Sequence, residues 1–262
     1  MIRMFVVLFA VACSACVGVR DFPATPEPDY EAAVIPGFET VRFWGDSEPE
    51  GIKSELARIR QQVEARVRAE RKIPNNGRID ILVLSGGGSD GAYGAGLLNG
   101  WTERGGRPEF ALVTGISTGA LIAPYAFLGP DYDDDLERFY TNTRTDDLLE
   151  FNIFRAITGK ALGLTDTNRL RVTLDAALSP ELIRRVAEEH AKGRRLWVGT
   201  TNLDAQRPVI WDIGAIATKG GEKARTLIRD ILLASAAIPG AFPPQQFLVE
   251  INGERFTEMH VD

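Results

Sequence analysis

From residue 78 onward, short apolar runs alternate with longer helical patterns, and glycines mark most of the changes. Residues 79–85 form a compact apolar run that ends on Gly86-Gly87-Gly88 and read as a strand. Residues 92–104 follow as a helix closed by Gly105-Gly106. Residues 110–114 predict a second strand, and 117–128 an apolar helix stopped by Gly129-Pro130. Helical spacing recurs over 170–177, 180–192 and 224–236, while 195–202 and 208–212 read as further strands. This alternation predicts an α/β fold with helical layers around a mainly parallel central sheet.

The first part of the chain has a different texture. Residues 50–72 place Ile52, Leu56, Ile59, Val63 and Val67 at helical spacing among many charges, the pattern of an amphipathic helix. Residues 21–38 carry Pro23, Pro26, Pro28 and Pro36 among acidic residues and read as an extended tether. Pro74-Asn-Asn-Gly77 breaks the chain, so the core domain is expected over 78–262, with tether and helix over 17–77. The apolar stretch 4–12 follows Arg3, is too short to span a bilayer, and leads to Ala12, Ser14 and Ala15. It reads as an export signal over 1–16. The two cysteines, Cys13 and Cys16, both stand at its end, and Cys16 is the candidate for lipidation, as in a bacterial lipoprotein. The expected location is the periplasm or the outer membrane.

Hydrophobic residues make up 44% and charged residues 25% of the chain, so a sizeable globular core is expected. The net charge of −6 argues against nucleic acid as a partner. It also means that contact with a membrane surface needs an apolar patch or a lipid anchor.

Two glycine-rich turns carry the candidate chemistry. Gly115-Ile-Ser-Thr-Gly119 lies between a strand and an apolar helix, the context of a nucleophile elbow, with Ser117 at its apex and Gly115 and Gly119 relieving crowding. Gly86-Gly-Gly-Ser-Asp-Gly91 also follows a strand and opens a helix. The N–H groups of Gly86, Gly87, Gly88, Ser89 and Gly91, together with that of Thr118, are candidates for an oxyanion hole. The same glycines fit a dinucleotide-binding spacing with Glu103 or Glu109 as the ribose acid, although neither acid ends a second strand. His190 lies late in a charged helix and His260 close to the end of the sequence, so neither is an obvious base. No cluster of metal ligands is visible, and Asp131-Tyr-Asp-Asp-Asp135 lacks the glycine and glutamate of a calcium loop.

Taken in order, these motifs resemble those of the patatin-like phospholipases, bacterial members in particular. That family pairs a glycine-rich oxyanion motif and a Gly-x-Ser-x-Gly nucleophile with a later Asp-Gly-Gly or Asp-Gly-Ala motif, and uses a Ser–Asp dyad without histidine. Glu258-Met-His-Val-Asp262 resembles the run into the third motif, and residues 234–244 resemble the turn before it. The resemblance covers residues 78–262 and implies a three-layer α/β/α domain in which Asp262 is the catalytic aspartate. Because the family's fold continues past that aspartate, the domain is expected to be incomplete at its C-terminus. The implied activity is lipid acyl hydrolysis of the phospholipase A type through an acyl-serine, with no cofactor and a phospholipid or other acyl lipid as substrate. Phe127 and Phe242 are candidates for an acyl pocket, or else plain core. Alternatives are a carboxylesterase or thioesterase on the same dyad, a nucleotide-binding protein, or a binding protein without catalysis.

Overall fold

The computed structural model describes residues 20–141, 165–239 and 241–262. The expected signal segment, Cys13 and Cys16 lie outside the described residues. Strands β1 (Arg42–Trp44), β2 (Ile81–Leu84), β3 (Leu112–Gly115), β4 (Arg195–Asn202) and β5 (Arg207–Asp212) form a sheet in the order β1-β5-β4-β3-β2. A hairpin of β6 (Gln245–Ile251) and β7 (Glu254–Val261) joins it through β7 on β4.

The α/β class is as the sequence predicts, but the mainly parallel sheet is not. Only β2–β3 and β3–β4 pair in parallel; β1–β5, β4–β5, β4–β7 and β6–β7 are antiparallel. The reason is local. Only the short turn Leu203 to Gln206, with Gln206 at φ 55°, joins β4 to β5. A parallel crossover needs a dozen residues or more. Asn252 (φ 51°) and Gly253 (φ 85°) likewise make the tight turn between β6 and β7.

The helices among the described residues are α1 (Ile52–Glu70), α2 (Gly91–Arg104), α3 (Thr118–Leu128), α4 (Asp133–Thr141), α5 (Thr165–Ala177), α6 (Pro180–Ala191), α7 (Ile213–Lys219) and α8 (Gly221–Ser235). α6 starts where the Ser179 hydroxyl accepts the Leu182 N–H at 3.1 Å with Pro180 at the first helical position. α3 is apolar on every side because every side is covered. Ile122, Ala123 and Phe127 of α3 share one core with Val113, Leu196 and Val198 of the sheet and with Ile228, Ile231 and Leu232 of α8. Each large side chain fully buried there contributes roughly 1.5–3 kcal/mol relative to exposure. The opposite face is thinly covered. There α1 reaches the sheet through Glu55 and Gln62 on Arg195, while Ile79, Ile81 and Val83 stay exposed.

The stretch expected to be a tether is docked instead. Its Val34 bridges Glu250 of β6, Ala24 bridges Thr257 of β7, and Ala33, Ile35 and Phe38 are buried. Arg20 is ion-paired with Asp204. The folded unit therefore starts well before residue 78, and β1 is one of its strands. None of the helices among the described residues is long and apolar enough to cross a membrane.

Candidate active site

β4 acts as the ruler on which the site is laid out. β3 runs parallel to it as far as the Gly115–Val198 pair, and β7 runs antiparallel to it as far as the Thr201–Val261 pair. The two strands therefore point their C-terminal ends at each other along one edge of β4, across three residues of it, or about 10 Å. Ser117 leaves the end of β3 and Asp262 the end of β7, so the sheet register brings them together.

At the elbow, Ser117 holds φ 56° and ψ −130°, a conformation L residues rarely adopt. Its surroundings keep it there. Ile116 N–H donates to Leu84 O at 3.2 Å, Gly119 N–H to Ile116 O at 2.9 Å, and Ala120 N–H to Ser117 O at 3.0 Å. The Ser117 N–H donates to the Ser235 hydroxyl oxygen at 3.0 Å, and that hydroxyl donates to Gly199 O at 2.7 Å. The flanking glycines are there for close approach: a Cβ on Gly115 would stand 2.5 Å from Gly119 O, and one on Gly119 would strike the Leu84 carbonyl. Ser117 also occupies the N-cap position of α3, at the positive end of a buried helix, without its side chain capping that helix.

The Ser117 side chain lies close enough to the Asp262 carboxylate to influence its titration. Burial pushes the Asp262 carboxyl above its ordinary value, and the neighbouring Ser117 hydroxyl draws it part of the way back. The Asp262 N–H is tied to Ala237 O at 3.1 Å.

Beside this pair runs the glycine-rich loop. Gly86 lies so near that a Cβ on it would stand 2.9 Å from Ser117 Cβ. The N–H groups of Gly86, Gly87, Gly88, Ser89 and Thr118 donate to no acceptor among the described residues, which leaves them free for an anion. Gly91 differs from this expectation. Its N–H turns back to the carbonyls of Gly88 and Ser89, and its missing side chain makes room for Thr118 Oγ1, which is 3.0 Å from Tyr140 OH. Its part is packing, not donation.

Both histidines are committed elsewhere. His260 is fully buried, with Nδ1 2.9 Å from Thr200 Oγ1 and Nε2 3.2 Å from Glu258 Oε2. The ionised Glu258 can only accept, so the neutral ring carries its proton on Nε2 and Thr200 donates to Nδ1, while Thr200 Oγ1 accepts from Trp211 Nε1 at 2.8 Å. Arg42 closes the chain with two contacts to Glu258, at 2.5 and 3.0 Å. Burial works against the Glu258 charge, but His260 and Arg42 outweigh it and hold the carboxyl near pKa 2. His190 is buried without a hydrogen-bond partner, 3.5 Å from Asp212 Oδ1, and burial drops its pKa to about 3. Glu109, a ribose acid in the nucleotide reading, is paired with Arg66 at 2.6 and 2.9 Å. Asp133, in the acidic run, lies at the start of α4, where its carboxylate meets Arg107 at 2.6 Å. Phe127 is core, with Arg194 over its ring, and Phe242 is half-buried.

Sequence reasoning passed over Ser235 and Ala237. They stand in the 234–244 turn, and the signal was a serine among alanines just before Pro239, at the end of a helix that is otherwise apolar there.

No curated protein matches this chain. The family model for patatin-like phospholipase matches residues 82–262, a span that takes in the glycine-rich loop, the elbow and Asp262. The chain belongs to the patatin-like phospholipase family.

Proposed function

We propose that this protein is a serine lipid acyl hydrolase of the phospholipase A type, with Ser117 as nucleophile and Asp262 as its base. The observation that carries the reading is the convergence of a serine on a strained elbow after β3 with a half-buried carboxylate after β7. Ser117 Oγ attacks the ester carbonyl carbon and its proton passes to Asp262. The N–H groups of Gly87, Gly88, Ser89 and Thr118 hold the oxyanion. Collapse of the tetrahedral intermediate breaks the ester bond, and the leaving alcohol takes the proton from Asp262. Water then attacks the acyl-serine, gives its proton to Asp262, and the fatty acid leaves as Ser117 is reprotonated. A carboxylate is a weak base toward serine, and the partial burial that raises Asp262 makes it a better one.

An exposed apolar face favours lipid over soluble ester. Tyr93, Leu97 and Trp101 recur at one-turn intervals on α2, the helix that leaves the glycine-rich loop, and all three are exposed. Such a face suits the surface of a lipid aggregate. The test is release of fatty acid from phospholipid vesicles and from a series of chromogenic esters of rising acyl length. Ser117→Ala and Asp262→Ala should each lose activity by at least about a thousandfold. Activity retained in Ser117→Ala refutes the reading. Activity on short soluble esters with none on vesicles would make the protein a carboxylesterase on the same dyad.

A further inference from the structure

We infer that the C-terminal turn of α8 is the jig that sets the Ser117–Asp262 geometry, with Ser235 as a positioning residue for the nucleophile. The inference rests on the proposed dyad and assigns a role to residues that do not touch the substrate.

The dyad is a pair of residues from different strands, and each needs a fixed backbone. Both are fixed by the same short segment. Ser235 Oγ accepts the Ser117 N–H at 3.0 Å, and Ala237 O accepts the Asp262 N–H at 3.1 Å. The segment is itself tied down. Ser235 is fully buried and donates to Gly199 O of β4 at 2.7 Å, while Ala236 N–H donates to Leu232 O and Ala237 N–H to Ala234 O, each at 3.1 Å. Gly199 completes the seat: a Cβ there would stand 3.0 Å from Ile116 Cγ1, so the bare strand lets the elbow lie against it.

The chemistry of Ser235 suits the task. A hydroxyl both accepts and donates, so one side chain satisfies the N–H of Ser117 and the carbonyl of Gly199 at once. Alanine offers neither. The buried N–H of Ser117 would then lack an acceptor at a residue whose φ of 56° already needs outside support. Relaxation of that strain swings Oγ relative to the Asp262 carboxylate. A shift near 1 Å in a reacting atom lowers rates by about a hundredfold.

The experiment uses the full chain as wild type, Ser235→Ala, Ser235→Thr and Ser235→Cys. It reads kcat and KM on an acyl ester, the pH profile of kcat/KM, the rate of labelling by a fluorophosphonate and the melting temperature. Expected for Ser235→Ala is a fall in kcat of about 10- to 100-fold with KM nearly unchanged and labelling slowed in parallel. The acid limb should move to higher pH, because the Ser117 hydroxyl, whose proximity draws the Asp262 carboxyl down, moves away from it. Ser235→Thr keeps the hydroxyl and should recover most of the rate. A purely structural role predicts a lower melting temperature but, per folded molecule, wild-type kcat, labelling and acid limb; that result overturns the inference. Should Ser235→Ala not accumulate, Ser235→Cys carries the test, since its thiol fills the space but accepts poorly. Absence of label on Ser117 in the wild type would instead refute the proposed dyad.

Discussion

Gly86→Ala offers a steric test of the site that removes no proposed catalytic atom. Gly86 does not occupy the left-handed region, so alanine adds only its Cβ. That carbon would stand 2.9 Å from Ser117 Cβ. Carbon–carbon contact is ordinary from about 3.5 Å, so the two backbones must part by about 0.6 Å. Ser117 cannot easily give way: its N–H is held by Ser235, and Gly119 two residues on is wedged against the Leu84 carbonyl. The glycine-rich loop can, because Gly86, Gly87, Ser89 and Asp90 are all exposed. The displaced groups are then the proposed oxyanion donors. Displacements of 0.5–1 Å in such groups correspond to losses of about 10- to 100-fold in kcat with little change in KM. The assay is steady-state hydrolysis of a chromogenic acyl ester, with fluorophosphonate labelling and a thermal melt beside it. Gly96→Ala on α2 is the control: its added Cβ would meet nothing within 4 Å, so it should cost less than about threefold. Wild-type kcat in Gly86→Ala, or equal losses in the two variants, would refute the argument that the loop and the elbow touch where the rate is set.

Stability should fall on acidification through the buried histidines. Burial, with the charges of Arg195 and Arg58, holds His190 near pKa 3 in the folded state, so between its ordinary 6.5 and 3 only the unfolded chain takes up the proton. His190 alone then costs about 2 kcal/mol of stability at pH 5, growing as pH falls further, and His260, also lowered by burial, adds in the same direction. Urea midpoints followed by tryptophan fluorescence at pH 7.5 and 5 should differ accordingly, His190→Leu should shrink the difference, and equal wild-type midpoints would count against a neutral buried imidazole. Glu258→Gln should destabilise by about 3–5 kcal/mol, because it leaves the nearly buried Arg42 guanidinium without its carboxylate. Adding Arg42→Met should recover part of that loss, and a melt in which the double variant is no better than the single would argue against the ion pair as the cause.

What could be read from the chain divides by the range of the interactions involved. The elbow, the glycine-rich loop and the strands and helices around them are specified within a few residues: an apolar run, then glycines, then helical spacing. β4 and β5 were legible too, and the short gap between them already implied a hairpin; weighing overall alternation above that gap gave the wrong sheet direction. The hairpin of β6 and β7 carried its own signal in Asn252-Gly253 between alternating runs. The docked stretch 21–38 is another matter. Its prolines and acids have the composition of a tether, and its buried Ala33, Ile35 and Phe38 take their place from β6 and β7, more than two hundred residues away. No local pattern encodes a partner at that distance. Ser235 was hidden for the same reason, since its role is defined by Ser117, which lies 118 positions earlier.

The fate of His260 explains why a carboxylate stands where a histidine would be the stronger base. Glu258 and His260 share one face of β7, and Asp262, one residue past the strand's end, continues the same alternation. On that face His260 is one step back from the strand end, paired opposite Asn202, and Asp262 stands just past it, where β3 delivers the elbow. One step along a face is about 7 Å, too far for the His260 ring to reach Ser117 while its two nitrogens serve Thr200 and Glu258. Those bonds in turn tie β7 to β4, and through Arg42 to β1, which fixes the strand that the proposed base directly follows. The histidine therefore acts on the site as an anchor of the aspartate's strand, and the serine is left with a partner whose basicity depends on burial.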